Sequence, residues 1–138
     1  MTLEENKALV ISFFKKANHY KKTPKEMCTK DFIAHIVGSK TFNLQAFESY
    51  QTNYYSSFSN TRTVIEDLIA EGDRVAFMGV PAKGKQIIVP IFGFAKIING
   101  KISEWWNSPD RLSWMQQIGA LPKSSKVKKS KIFPKRKI

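Results

Sequence analysis

The sequence predicts an α+β domain in which helices come first and an antiparallel sheet follows, with the helices packed on one face of that sheet. Three observations carry this. Apolar residues recur at helical spacing from the N-terminus to Phe58, strand patterning takes over from Thr63, and Asn99 with Gly100 forms the strongest short hairpin signal in the chain. At 138 residues the chain has the size of one ordinary domain, large enough to bury a core without metals or disulfides.

Thr2 followed by Glu5 is a capping-box signature, and Leu3, Val10, Phe13, Phe14 and Ala17 then mark one face of a helix reaching about Tyr20. Thr23 and Pro24 repeat a start signal, but the pattern dies at Thr29 to Asp31, which predicts a short second helix. Phe32 to Val37 reads as a brief extended stretch closed by Gly38. Leu44, Phe47, Gln51, Tyr54, Tyr55 and Phe58 mark a third, ring-rich helix that Asn43 can cap. Thr63–Glu71 and Arg74–Val80 are predicted as a strand pair around a Gly72–Asp73 turn, and Pro81–Gly84 turns the chain into a long strand from Gln86 to Ile98. Lys101–Trp106 is the next strand. Ser108, Pro109 and Asp110 then look like the opening of a final short helix that stops at Gly119.

Charge is unevenly spread. Residues 123–138 hold 8 of the 23 basic residues and no acid, so the remaining 15 face all 11 acidic residues and leave residues 1–122 only mildly basic. The expected organisation is a folded domain over 1–122 and a basic tail over 123–138. Such a tail buries too little apolar surface to order itself, and its lysines suit nucleic-acid phosphates or an anionic membrane. A single cysteine, Cys28, and two histidines, His19 and His35, offer neither a disulfide nor a metal-ligand spacing, so no metal and no cofactor are expected, in a reducing, cytoplasmic setting. The acidic N-terminus does not read as a signal peptide.

The strand from Gln86 to Ile98 is apolar on both alternating sides: Ile87, Val89, Ile91 and Ile97 on one, Ile88, Phe92, Phe94 and Ile98 on the other. An antiparallel strand with one wet face should alternate instead. Helices cover one face only, so a homodimer is expected to cover the other; a sheet that curls onto itself is the alternative.

Asn6–Val10 with Phe13 and Phe14, Phe32 and His35, Ile65–Ala76, Asn99–Trp106, Asp110–Leu112 and Gln116–Gly119 together resemble the SnoaL-like polyketide cyclase family, over about Leu3 to Leu121. The resemblance implies the cone of the nuclear transport factor 2-like superfamily: a curved antiparallel sheet wrapped around the N-terminal helices, with an open-ended pocket. Steroid isomerases and dehydratases share that cone. The sequence departs from the family at two places. The hairpin arm before Pro81 is shortened, removing the stretch that carries a pocket histidine in cyclases of this type, and Ile36 follows His35 where an aspartate is frequent.

Asp110, four residues after Trp106, matches the family's acid/base aspartate. Such a carboxylate moves protons on ketones and enols when apolar surroundings favour its neutral form. The same Asp110 also fits the first turn of a helix, where the dipole favours an acid. His35 is the second catalytic candidate, with a half-buried packing role as its alternative. Trp106, Tyr54, Phe14 and Phe92 are the candidate ligand contacts, and ten Phe, three Trp and four Tyr are more aromatic surface than a small core requires. Glu66, Asp67, Glu71 and Asp73 read as a solvated hairpin and Cys28 as a small buried hydrophobe. The expected function is a pocket protein that isomerises or cyclises a small carbonyl compound by acid/base catalysis. The alternatives are a ligand-binding module without turnover, and an interaction protein docked to nucleic acid or membrane by its tail.

Overall fold

The computed structural model describes residues 1–57, 62–81 and 90–110, together with 112, 115, 116 and 119. The turn expected after Pro81, the start of the long apolar strand at Gln86–Val89 and the tail from Lys123 lie outside the described residues.

Helix α1 spans Leu3–Tyr20. The Thr2 hydroxyl accepts the Glu5 N–H at 3.1 Å, so the capping residue read from the sequence satisfies one of the free amides of the first turn. The helix stops where Lys21 turns left-handed at φ 57° and donates its N–H to Ala17 O. Asn6, Val10, Phe13, Phe14 and Ala17 form its buried stripe, and Leu3 is left exposed. The expected second helix is only a 3₁₀ turn, Lys25–Met27. Strand β1, Cys28–Ile36, takes over: Thr29, Lys30 and Asp31, where the helical pattern ends, are strand residues beside an irregularity in register between Cys28 and Ile33.

A three-residue strand β2, Thr41–Asn43, was not foreseen. It pairs antiparallel with β1, and its last residue caps helix α2, Leu44–Ser57, by accepting the Ala46 N–H at 2.8 Å. Strands β3 (Thr63–Glu71) and β4 (Arg74–Pro81) form the expected hairpin, with Gly72 at φ 57° in its turn. Strands β5 (Ile91–Ile98) and β6 (Lys101–Pro109) join through Asn99 at φ 51° and Gly100 at φ 78°. Two successive positive φ values are what a two-residue hairpin of this hand requires, and Asn-Gly adopts them with little strain.

The sheet order is β2-β1-β6-β5-β4-β3, one curved and unclosed sheet. Its pairs are antiparallel except one: β1 runs parallel to β6, so the sheet is mixed, not wholly antiparallel. A parallel pair needs a long crossover, and α2, β3, β4 and β5 all lie between its two strands in sequence. Among the described residues two long α-helices, where three helices were expected, pack against the sheet, α1 chiefly against β3 and β4, α2 against β1 and β2. The core joins Val10, Phe13 and Phe14 of α1 to Phe47 of α2 and to Phe32, Val75, Phe77, Ala95, Ile102 and Trp105 of the sheet. Ser108 and Pro109, read as a helix opening, belong instead to β6, where Phe92 and Ile91 of β5 pair with them. Beyond Asp110, Leu112, Met115 and Gln116 are helical, and Gly119 at φ 85° donates its N–H to Gln116 O. Among the described residues no helix is long and apolar enough to cross a membrane.

Candidate functional site

Between the two helices and the sheet lies a cavity of about 510 Å³, within the usual size of small-molecule sites. Phe13, Phe14 and Ala17 line it from α1, while Phe47, Tyr50, Gln51, Tyr54 and Tyr55 line it from α2. The sheet contributes Thr63, Ile91, Trp105, Asn107 and Pro109, and Met115 closes part of the mouth. Among the described residues the wall contains no Asp, Glu, His, Lys, Arg or Cys.

Trp105 organises this wall. Its ring lies 4.8 Å from Phe77, 5.0 Å from Phe13, 5.5 Å from Phe14 and 6.3 Å from Phe47, centroid to centroid. Aromatic contacts in this range hold rings in tilted and edge arrangements and so fix the cavity's shape. Hydrogen bonds anchor the rest. The Thr23 hydroxyl, buried behind the helix, donates to Gln51 Oε1 at 2.6 Å. Asn18 clamps α1 to β3 reciprocally, donating from Nδ2 to Thr63 O at 2.7 Å and accepting the Thr63 N–H at 2.9 Å. At the other end of α1, Asn6 Nδ2 donates to Gly72 O at 3.3 Å. Burial holds the Tyr55 hydroxyl's pKa up at about 12, with neighbouring Tyr54 adding to the rise, and burial followed by Tyr50 raises that of Tyr54. Both Tyr54 and Tyr55 phenols are neutral near pH 7, able to donate a hydrogen bond and poor as bases.

The candidate residues divide between two faces of the sheet. Phe14 and Tyr54 line the cavity. Trp106 and Phe92 do not, because β6 and β5 turn them to the outer, convex side, where Phe92 is 57% exposed. There Trp106 stacks on Phe94 at 4.5 Å and on the His35 ring at 5.1 Å, and the Arg74 guanidinium lies over both Trp106 and Phe94. His35 therefore faces away from the cavity, its Nε2 2.6 Å from Glu104 Oε2. Asp110 follows directly on the cavity-lining Pro109 but is itself exposed, with its N–H donated to Pro90 O at 3.3 Å. It is a rim residue, outside the wall. Cys28 is buried, as a small hydrophobe would be, and burial, helped by nearby Glu26 against the opposing Lys101, pushes its thiol up to about 12.

Sequence reasoning missed Trp105 and Asn107. Strict alternation onward from Ile102, which is fully buried, would place Glu104 and Trp106 on the inner face. A register shift in the β5–β6 ladder, where Ile97 pairs with Ile102 but Lys96 with Glu104, reverses the faces beyond it. A single extra residue at a bulge exchanges every side chain that follows. No residue in the sequence marks that bulge, although the adjacent pair Trp105 and Trp106 guarantees that one of the two rings points inward.

The fold is α+β, a curved, unclosed sheet with helices packed on one side and a cavity between them. The chain belongs to the SnoaL-like polyketide cyclase family, whose model matches residues 9–118. Among solved structures it is similar to a candidate hydroxylase, AclR, from Streptomyces galilaeus, at 15% identity and TM-score 0.77, covering 88% of this chain and 89% of that one. A candidate SnoaL-like polyketide cyclase from Jannaschia sp. CCS1 has 18% identity and TM-score 0.73 over 87% of this chain and 95% of its own. The candidate polyketide cyclase IdmH from Streptomyces antibioticus has 15% identity and TM-score 0.68 over 86% and 99%. No curated protein matches the sequence. At these identities the structural likeness speaks for the fold, and function has to be argued from the site.

Proposed function

We propose that this protein binds a neutral, ring-bearing small molecule in the cavity between its helices and sheet. One observation carries this reading: the described wall is built of aromatic rings and neutral polar groups, with no ionisable acid or base other than tyrosine. A charged ligand would lose its hydration there without gaining a counter-ion. A flat ring system would replace water against Trp105, Phe14 and Phe47, while the Tyr54 hydroxyl and the Gln51 and Asn107 amides meet its carbonyl or hydroxyl groups. Mass spectrometry of small molecules extracted from the purified protein tests this. A neutral aromatic or polyketide-like compound, lost from a Phe14→Glu variant that stays folded, supports it. A bound anion or cation refutes it.

Family membership favours a second reading in which the bound ketone is also isomerised or cyclised, with Asp110 as the acid/base at the mouth. Asp110 would then act from the rim on a part of the ligand that protrudes past Pro109. Hydrogen–deuterium exchange at the carbon next to the ligand's carbonyl, lost in Asp110→Asn while binding persists, supports this. Exchange unchanged in that variant removes Asp110 from the mechanism. The outer sheet face, with Phe92, Phe94 and Trp106, is the surface on which a second copy would pack. Phe92→Glu should then convert a dimer to a monomer in light scattering, and a wild-type monomer would end this reading.

A further inference from the structure

Phe47, Gln51 and Tyr55 follow one another at helical spacing along α2 and all line the cavity, so the Gln51 carboxamide sits between two buried rings. Its oxygen is already engaged, accepting the Thr23 hydroxyl at 2.6 Å. Thr23 is 2% exposed and stands between α1 and the 3₁₀ turn, so this bond is made out of reach of bulk water. The distance also decides which way round the carboxamide lies. N–H···O bonds span about 2.7–3.2 Å, whereas O–H···O bonds reach down to about 2.5 Å, so the hydroxyl meets Oε1 and not the amide nitrogen. Nε2 then turns its two N–H groups elsewhere. Among the described residues it donates to nothing, and it is not sealed in, because the buried side-chain atoms that lack a partner are Asn6 Oδ1, Thr29 Oγ1 and Asn107 Oδ1. The cavity wall thus holds a neutral donor that is oriented, accessible and unused by the protein. A hydroxyl can turn to donate or accept, but a carboxamide nitrogen only donates.

We infer that Gln51 is the specificity-determining donor of the cavity, giving an N–H from Nε2 to a carbonyl oxygen of the ligand, and that Thr23 is its positioning residue. The inference rests on the proposed ligand-binding role of the cavity and adds the group that it selects. A ring ketone laid along Phe47 and Trp105 exchanges the hydration of Nε2 for an acceptor. An alkene of the same shape strips that hydration and leaves the N–H unpaired, which costs more than a neutral hydrogen bond gains. Without the Thr23 hydroxyl the carboxamide is free to turn over and present Oε1 to the cavity, so the preference for a carbonyl shrinks. Sites built to pair a polar ligand group reject the analogue without it more strongly than apolar pockets reject an extra methylene.

The test uses 2-acetylnaphthalene and 2-isopropenylnaphthalene, neutral probes that differ only by C=O against C=CH2, in equilibrium dialysis against the full-length protein. Wild type is expected to prefer the ketone by about tenfold, the worth of one hydrogen bond to a group otherwise unpaired. Infrared spectra of the ketone, labelled with carbon-13 at its carbonyl, read the bond itself: the stretch of the bound probe should lie below its position in an apolar solvent. Gln51→Met, an apolar change of similar length, is expected to bind both probes about equally and to return the stretch to the apolar position. Gln51→Leu gives the same readings by a second route should the methionine disturb folding. Thr23→Val is expected to lower the preference by about threefold, and Thr23→Ser, which keeps the hydroxyl, to retain the wild-type preference and stretch. Retention of both by the Gln51 variants overturns the assignment of Gln51 while leaving the cavity's binding role intact. So does a wild-type stretch at the apolar position, a reading that needs no variant. An unchanged preference in Thr23→Val overturns the role of Thr23. Failure of both probes to bind wild type counts against the cavity reading itself.

Discussion

Replacing Gly93 with alanine tests how tightly the sheet is closed behind the cavity. The added Cβ would overlap the Trp106 carbonyl oxygen and lie 2.8 Å from Phe77 Cζ and 3.0 Å from Asn107 Cα. Two of these three neighbours are backbone atoms of β6, which cannot rotate away as a side chain could. Relief therefore requires β5 and β6 to part in the middle of the sheet. Overpacking in a core costs about 1–3 kcal/mol, and a weakened ladder hydrogen bond adds about 1 kcal/mol. Restricting the unfolded chain, which favours alanine over glycine, returns only about 0.4–1 kcal/mol. The net loss is about 3 kcal/mol, which for a domain of this size lowers the melting temperature by about 10 °C. Circular dichroism melting of the two proteins, with urea midpoints as a check, reads this directly. A shift smaller than about 2 °C would mean that β5 and β6 are not packed as described, and the geometry around Asn107 would have to be abandoned.

Alkaline stability follows from the raised thiol and phenol. Cys28 moves from 9.0 to about 12 and Tyr55 from 10.0 to about 12, so between those limits the unfolded chain releases protons that the folded chain keeps. Stability is then complete below pH 9 and falls as pH rises, by about 2–3 kcal/mol at pH 10.5 from these two groups together; a urea midpoint unchanged between pH 8 and 10.5 refutes this. Trp105→Ala removes the ring that four other aromatic residues contact, and should destabilise by about 3–5 kcal/mol, read from urea unfolding. Thr2→Ala removes the cap on α1 and should cost about 1 kcal/mol by the same measurement, an effect absent only if the Glu5 amide finds another acceptor.

Much of the fold was legible because local rules and global structure agree. Thr2, Asn43, and the pair Asn99 and Gly100 each do in the structure what their chemistry predicts: a hydroxyl cap, an amide cap and a turn with two positive φ values. What escaped were features set by tertiary pairing. Strand β2 is three residues long and held only by β1, and no pattern of that length announces itself. The parallel pairing of β1 with β6 joins segments far apart in sequence. Ser108 and Pro109 carry helix-opening chemistry, yet the pairing of Pro109 with Ile91 keeps them in the sheet. The site was half legible for a related reason: Phe14 and Tyr54 lie on helices whose period runs unbroken, whereas the bulge in β6 sent Trp106 outward and brought Trp105 and Asn107 in. His35 followed Trp106 to the outer face because the two residues are register partners.

The central claim, that small neutral ring compounds occupy the cavity and not the aromatic outer face, is tested most directly by the indole N–H signals of Trp105 and Trp106 in nitrogen-15 NMR spectra. These neighbouring residues report on opposite sides of the same strand. Titration with 2-naphthol should shift the Trp105 signal, together with the side-chain amide of Asn107, and leave Trp106 in place. Saturable shifts at Trp106 and the backbone amides of Phe94 and His35, with Trp105 unmoved, would contradict the account.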